Sequence, residues 1–230
     1  MTSQHQTAGL DGPFDEPVPA LSPDAVAYAD DWLDEDERLR TARARAYELG
    51  CPPVSRTVFH ALTLLARMTS AAAVVEVGTG TGVASAALLA GMTEAGILTS
   101  SDAEAEHQRA ARDLLSSLGY DHVRARLIAG RALDVLPRLA DRAYDMVVVD
   151  TDPLEYPAIL AQAQRLLRPG GLVAFDHLLD SGAVPDHSRR DAETTALRDT
   201  VHATRDDGHW QPALLPIGGG LLIALRAASD

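Results

Sequence analysis

The chain contains no lysine and no asparagine; its 20 Lys/Arg-class residues are all arginine. No lysine can therefore act as a general base, and no asparagine can lend an amide oxygen to a metal. There is one cysteine, Cys51. It excludes an internal disulfide and fits a reducing cytoplasm, the expected compartment. Apolar runs are short and broken by charge or glycine, so no membrane-spanning helix and no membrane partner are expected. The first residues, MTSQHQTAGLDGPFDEP, lack a basic stretch followed by an apolar one, so no secretory signal is expected. Positive charge is scarce: 20 basic against 33 acidic residues give a net charge of −13. Nucleic acid, which needs concentrated cationic charge facing its phosphates, is not an expected partner. The acidic surplus serves solubility.

What is present suits one α/β domain with a terminal extension: 230 residues, 46% of them apolar. Residues 1–21 are rich in Pro and Gly, lack periodicity and are expected to form a disordered tail. Ser22-Pro23-Asp24 is a helix start, opening a helical extension over 22–50 in which acidic DDWLDEDE precedes Arg-rich RLRTARAR. A helix over 55–68 with Val58, Leu62 and Leu65 on one face opens the main domain, 51–230. Strands are then expected at 72–77, 97–101, 123–129, 144–149 and 172–175. Helices are expected between them at 83–92, 103–118, 132–140 and 154–167. Such alternation implies a parallel sheet with right-handed crossovers. A polar helix near 188–205 follows, then HWQPALLPIGGGLLIALR, two strands joined at Gly218-Gly219-Gly220 as an antiparallel hairpin. The expected fold is a doubly wound, Rossmann-like sheet of seven strands with N-terminal helices. Those helices would cover the site or a partner copy, and a homodimer is the expected assembly.

VVEVGTGTGVAS, residues 74–85, joins the first strand to the next helix. Gly78, Gly80 and Gly82 let the backbone turn tightly and a ligand approach the main chain. The following helix presents its N-terminal amides there, at the strand ends where open parallel sheets bind ligands. A dinucleotide fingerprint is G-x-G-x-x-G, but here Val83 stands at its third glycine. Glu76, just ahead of the loop, would repel a pyrophosphate and attract an ammonium group. Spacing and charge thus favour a cationic nucleoside over a nicotinamide dinucleotide.

The sequence E-V-G-T-G-T-G resembles the first motif of class I S-adenosylmethionine-dependent methyltransferases. The resemblance implies that the loop wraps the methionine part of the cofactor and that Glu76 helps hold its amino group. Asp102, in LTSSDAEAEH, matches the ribose-binding carboxylate of that family; read alone it is also a plausible helix N-cap. Over about residues 50–226 the chain resembles more closely the O-methyltransferases that include the catechol and caffeoyl-CoA enzymes. The motifs are PPVSRTVFHALTLLARM, AGRALDVLPRL, YDMVVVDTDPLEYPAILAQAQRLLRPGGLVAFDHLL and the glycine-rich hairpin. By position, Val54 would line the cofactor pocket, Gly78, Thr79 and Gly80 would contact the methionine end, and Ala84 would replace a serine. Asp150 and Asp152 would lie beside them, with Ala132 and Leu133 near the adenine.

The resemblance further implies a small-molecule acceptor and a divalent metal held by two Asp and one Asn. Asp150 and Asp176 match the two Asp; His177 stands at the Asn. An oxygen-only site suits Mg²⁺ or Ca²⁺, whereas an imidazole shifts preference toward Zn²⁺, Mn²⁺, Co²⁺ or Ni²⁺. The family's general base is a Lys three residues after the first Asp, and here that place is Pro153. Asp150 and His177 are the expected catalytic residues, His177 because it titrates near neutrality. Asp150 and Asp152 read alternatively as helix caps. Tyr156 is expected to pack against the sheet. His107, His122, His187, His202 and His209 have no partner spacing and are expected at the surface. Trp32 and Trp210 are candidates for packing or for lining a cavity.

Overall fold

The computed structural model describes residues 21–227. The expected tail lies outside these residues except for Leu21. The helical extension is two helices, α1 (Pro23–Asp31) and α2 (Glu37–Glu48). Each carries its own cap: Ser22 Oγ accepts from Ala25 N, and the Asp36 carboxylate accepts from Arg38 N. A side chain that satisfies first-turn amides starts a new helix even within a run of helix formers. The next helix, α3 (Arg56–Met68), starts at the hydroxyl of Ser55 and buries Val58 and Leu62.

The alternating region then follows. It comprises β1 (Ala73–Val77), α4 (Val83–Gly91), β2 (Ile97–Asp102), α5 (Ala105–Ser117) and β3 (Ala125–Ala129). It continues through α6 (Ala132–Val135), β4 (Tyr144–Val149), α7 (Tyr156–Leu166) and β5 (Leu167–Phe175), and closes with α8 (Ala192–Asp206), β6 (Trp210–Leu215) and β7 (Leu221–Arg226). Prolines account for two corrections. The helix expected over 132–140 ends early, in a 3₁₀ turn containing Pro137. The helix expected from 154 is a 3₁₀ turn at Pro153–Glu155 followed by α7, with Pro157 in its first turn. A ring without an N–H is tolerated at such starts and not within a helix. The last helix begins at Ala192, later than expected, where Asp191 caps it by accepting from Thr194 N.

The sheet has the order β3-β2-β1-β4-β5-β7-β6. Its first five members pair in parallel; β7 is antiparallel to β5, and β6 to β7. Both faces are covered. Val74, Met146, Val148 and Leu172 pack beneath α3 and α4, while Val75, Val147, Val149 and Phe175 pack beneath α7 and α8. Alternate residues of β4 thus meet two different apolar layers, which is why it reads as one apolar run. Phe175 is fully buried, with its ring centroid 5.1 Å from that of Tyr156. Burying a side chain of that size contributes about 1.5–3 kcal/mol. The chain winds outward in both directions from β1 and β4. Their C-terminal ends form the switch-point crevice where this architecture binds ligands.

Candidate active site

The glycine loop turns out of β1 as expected. Gly78 has φ +88°, and a Cβ there would fall 1.7 Å from the carbonyl oxygen of Asp150. Only glycine lets the end of β4 pass so close. The loop is held from several sides. Gly78 N donates to Ser101 O at 2.9 Å, and Gly80 N donates to Asp102 Oδ2 at 2.9 Å. Thr79 Oγ1 lies 2.7 Å from Ser100 Oγ and accepts from Gln108 Nε2 at 3.0 Å. Thr81 Oγ1 donates to Ala42 O at 3.0 Å and ties the loop to α2.

Glu76 stands beneath this loop, not in the wall of the cleft. It is buried, accepts from Ser85 Oγ and leaves Oε1 with no partner. Burial pushes its carboxyl up to about 7, against the hydrogen bonds of Ser100 and Ser85. Glu76, expected to help hold an amino group, packs in the layer under α4, where Ser85 of that helix donates to it.

Above the loop lies a cleft of ≈ 550 Å³. Val54, Gly78, Thr79, Gly80 and Ala84 line it. Asp102, Ala132, Asp150 and Asp152 line it as well, Asp102 directly beside Gly80. Leu133 is not in that wall; it is partly exposed one step along α6. Asp102 does not cap α5, whose N-cap is Glu104. Asp152 does act as a cap, accepting from Leu154 N at 2.9 Å. The cleft also contains residues that the sequence did not single out for it. His107 Nδ1 lies 3.2 Å from Asp102 Oδ2, and Arg131 pairs with Glu155 at 3.0 Å. His107 is thus partly buried against a partner, not a surface residue. The exposed placing expected for His122, His187, His202 and His209 is the one observed.

At the far end of the cleft, Asp150, Asp176 and His177 come together with one ligand atom each, all within 4.8 Å of one another. Asp150 ends β4, its N–H donating to Val77 O at 2.9 Å; Asp176 ends β5, its N–H donating to Val149 O at 3.0 Å. His177 Nδ1 is 3.3 Å from Asp150 Oδ1 and 3.5 Å from Asp176 Oδ2. The Asp150 carboxylate, with Asp176 behind it, lifts the His177 imidazole to about 9 against its burial. Burial lifts Asp176 to about 6, opposed by His177. Asp176 Oδ2 is buried with no hydrogen-bond donor. A buried, unsatisfied carboxylate oxygen facing a second carboxylate and an imidazole fits a cation.

His177 itself has φ +61°, a left-handed conformation that costs a non-glycine residue about 1–3 kcal/mol. Its neighbours hold it there. Leu178 N and Leu179 N each donate to the glycine turn, to Gly220 O and Gly219 O at 2.9 Å. Tyr156 packs against the sheet as expected, and its hydroxyl donates to Asp176 O at 3.1 Å. On the outer side of His177 is a second cavity of ≈ 420 Å³ between α1, α2 and the start of α3, with Arg43, Arg56 and Asp31 in its wall. Trp210 is core and Trp32 is exposed; neither is in the wall of these two cavities.

The profile of the O-methyltransferase family matches residues 26–227. This chain belongs to that family. A protein of Mycobacterium sp. (strain JLS) named "Putative O-methyltransferase" is 43% identical over 208 residues, 90% of this chain and 94% of the relative. Among solved structures, this O-methyltransferase resembles TomG from Streptomyces achromogenes, an O-methyltransferase involved in tomaymycin synthesis and solved with S-adenosylmethionine. The TM-score is 0.81 and the identity 29%, over 89% of this chain and 96% of that one. A protein from Corynebacterium glutamicum matches with a TM-score of 0.83 and 30% identity, over 89% and 96% of the two chains. Among the described residues of this O-methyltransferase, no helix is long and apolar enough to cross a membrane.

Proposed function

We propose that the acceptor of methyl transfer in this O-methyltransferase is a small phenol or catechol-like molecule, held with a divalent cation at Asp150, Asp176 and His177. One observation carries the reading. Asp150 rims the cofactor cleft, His177 walls the second cavity, and their side chains meet at 3.3 Å. The cluster is therefore the doorway between a donor chamber and an acceptor chamber.

Val54, Gly78, Thr79, Gly80 and Ala84 hold the methionine end of S-adenosylmethionine, Asp102 its ribose and Ala132 its adenine. Asp152 shapes the rim beside Asp150. The cofactor supplies a sulfonium-activated methyl group, so alignment of the acceptor oxygen is the main task left to the protein. A divalent cation at the cluster would lower the pKa of an acceptor hydroxyl. Its donor set of two carboxylates and an imidazole favours Mn²⁺, Zn²⁺, Co²⁺ or Ni²⁺ over Mg²⁺. Pro153 leaves no lysine to take the proton. Asp150 is the group at the acceptor doorway able to assist its removal; His177, held protonated near neutrality by the two carboxylates and engaged as a ligand when a cation is bound, orients the site instead. We propose that the protein works as a homodimer in the cytoplasm.

Calorimetry with S-adenosylhomocysteine tests the donor half; no detectable affinity would sink it. A panel of phenols and catechols, assayed with Mn²⁺, Zn²⁺ or Mg²⁺, tests the acceptor half. Turnover that prefers Mn²⁺ or Zn²⁺ and is abolished in Asp150→Ala is the expected result. Pro153 and the strained His177 motivate a second reading, a cofactor-binding protein with altered or lost catalysis. Cofactor affinity without transfer to any acceptor would favour it.

A further inference from the structure

The reading of Asp102 as the ribose carboxylate meets a difficulty in its hydrogen bonds. An ionised carboxylate has about four acceptor positions on its two oxygens and no donor. Oδ2 already accepts from Gly80 N at 2.9 Å, and Oδ1 from Glu104 N at 2.8 Å. His107 Nδ1 approaches Oδ2 at 3.2 Å, and because the carboxylate can only accept, that nitrogen is the donor. Oδ2 is then full and Oδ1 has one position left. A ribose presents two hydroxyls. The two backbone donors belong to the glycine loop and to the start of α5 and cannot withdraw. The imidazole lines the same cleft, and its second nitrogen is not engaged by Asp102.

We propose that His107 is a second ribose ligand: with Nδ1 donating to Asp102 and fixing its orientation, its Nε2 accepts from the hydroxyl that the carboxylate cannot accommodate. The proposal rests on the cofactor reading above. The placement supports it. The side chains of Asp102 and His107 are only 10% and 17% exposed, so both act in a shielded site where a hydrogen bond to a charged group is strong. His107 lies in the first turn of α5, whose packing is carried by Gln108, Ala111, Leu114 and Leu115, so its replacement leaves the helix seated.

The test is calorimetry on the full chain with S-adenosylhomocysteine and its 2′-deoxy and 3′-deoxy analogues. The proteins are wild type, His107→Ala and His107→Asn; the last keeps an N–H near the place of Nδ1. We expect His107→Ala to bind S-adenosylhomocysteine about tenfold more weakly, the loss of one hydrogen bond to the ribose in a shielded site. One deoxy analogue should bind wild type and His107→Ala alike, since the hydroxyl that His107 serves is already gone. His107→Asn should recover part of the affinity. Binding by His107→Ala within twofold of wild type would overturn the proposal. So would an equal loss for S-adenosylhomocysteine and both analogues, which would mark a purely structural role. Wild type with no affinity for S-adenosylhomocysteine would instead remove the cofactor reading itself.

Discussion

Buried in β1 beneath the glycine loop, Glu76 keeps a proton that the unfolded chain gives up. Its carboxyl lies at about 7 in the fold against an ordinary value of 4.5, with burial as the main cause. Below pH 4.5 both states are protonated and the group is neutral toward stability. Between about 4.5 and 7 the unfolded chain releases the proton and the folded chain does not, so stability falls as pH rises. Above about 7 the loss levels off. Glu76→Gln removes the titration, so its stability relative to wild type should improve by about 2–3 kcal/mol from pH 5 to pH 8. Urea unfolding at the two pH values measures this. A stability difference independent of pH would show that the carboxyl is not protonated in the fold. At this scale the sequence was informative where a residue follows an apolar strand. Asp102, Asp150, Asp176 and His177 each end up at the strand-end crevice because a parallel sheet puts every strand's C-terminus on one side. It placed His107 at the surface. That residue reaches Asp102 only because the chain turns between β2 and α5, and no helical or strand periodicity relates residues across such a turn. Nor did it give the depth of Glu76, since a strand position fixes the side of the sheet but not how far the pocket reaches under the loop.

At the scale of elements, the glycine turn between β6 and β7 is more than a hairpin closure. β7 pairs antiparallel with β5, Leu222 opposite Phe175, so the turn that precedes β7 lies against the loop that follows β5. A Cβ on Gly219 would fall 2.5 Å from His177 Cδ2 and 3.0 Å from His177 Cα. Gly219→Ala should therefore push the imidazole off the carboxylate pair. We expect about a tenfold loss of Mn²⁺ affinity by calorimetry, with the melting temperature changed by only a few degrees. Unchanged Mn²⁺ binding would mean that the turn does not set the ring. Gly78→Ala should behave differently, because its obstacle is the backbone of Asp150 and its φ is left-handed. There we expect a loss of about 3 kcal/mol or more in denaturant unfolding, together with loss of cofactor affinity. The alternation of strands and helices was legible in apolar runs and turn residues. The proximity of the terminal glycines to Asp176 and His177 was not, because it depends on the strand order β5-β7-β6, which no local pattern encodes.

At the scale of the whole molecule, α1 raises the question of what covers it. It has no buried residue, yet isolated helices of nine residues are marginal in water. It is tethered on one side only: Asp30 accepts from Thr57 N at 2.8 Å, and Asp31 pairs with Arg56 at 2.8 Å. Around it Leu21, Val26, Tyr28, Trp32 and Tyr47 are exposed. So large a group of aromatic and aliphatic side chains marks an interface more often than a free surface. The net charge of −13 opposes association at long range, so a contact between copies would draw on apolar surface such as this. If the protein is the proposed homodimer and the patch is its seam, sedimentation should give about twice 24.4 kDa for wild type. Tyr28→Ser with Trp32→Ser should shift it to the monomer at unchanged helix content, because neither side chain contributes to the core. The same α1 walls the proposed acceptor cavity beside His177. Loss of the dimer should then raise KM for the acceptor while leaving S-adenosylhomocysteine affinity intact. A monomeric wild type would refute the seam. A double variant that stays dimeric would move the interface elsewhere and leave α1 as a cover for its own acceptor chamber.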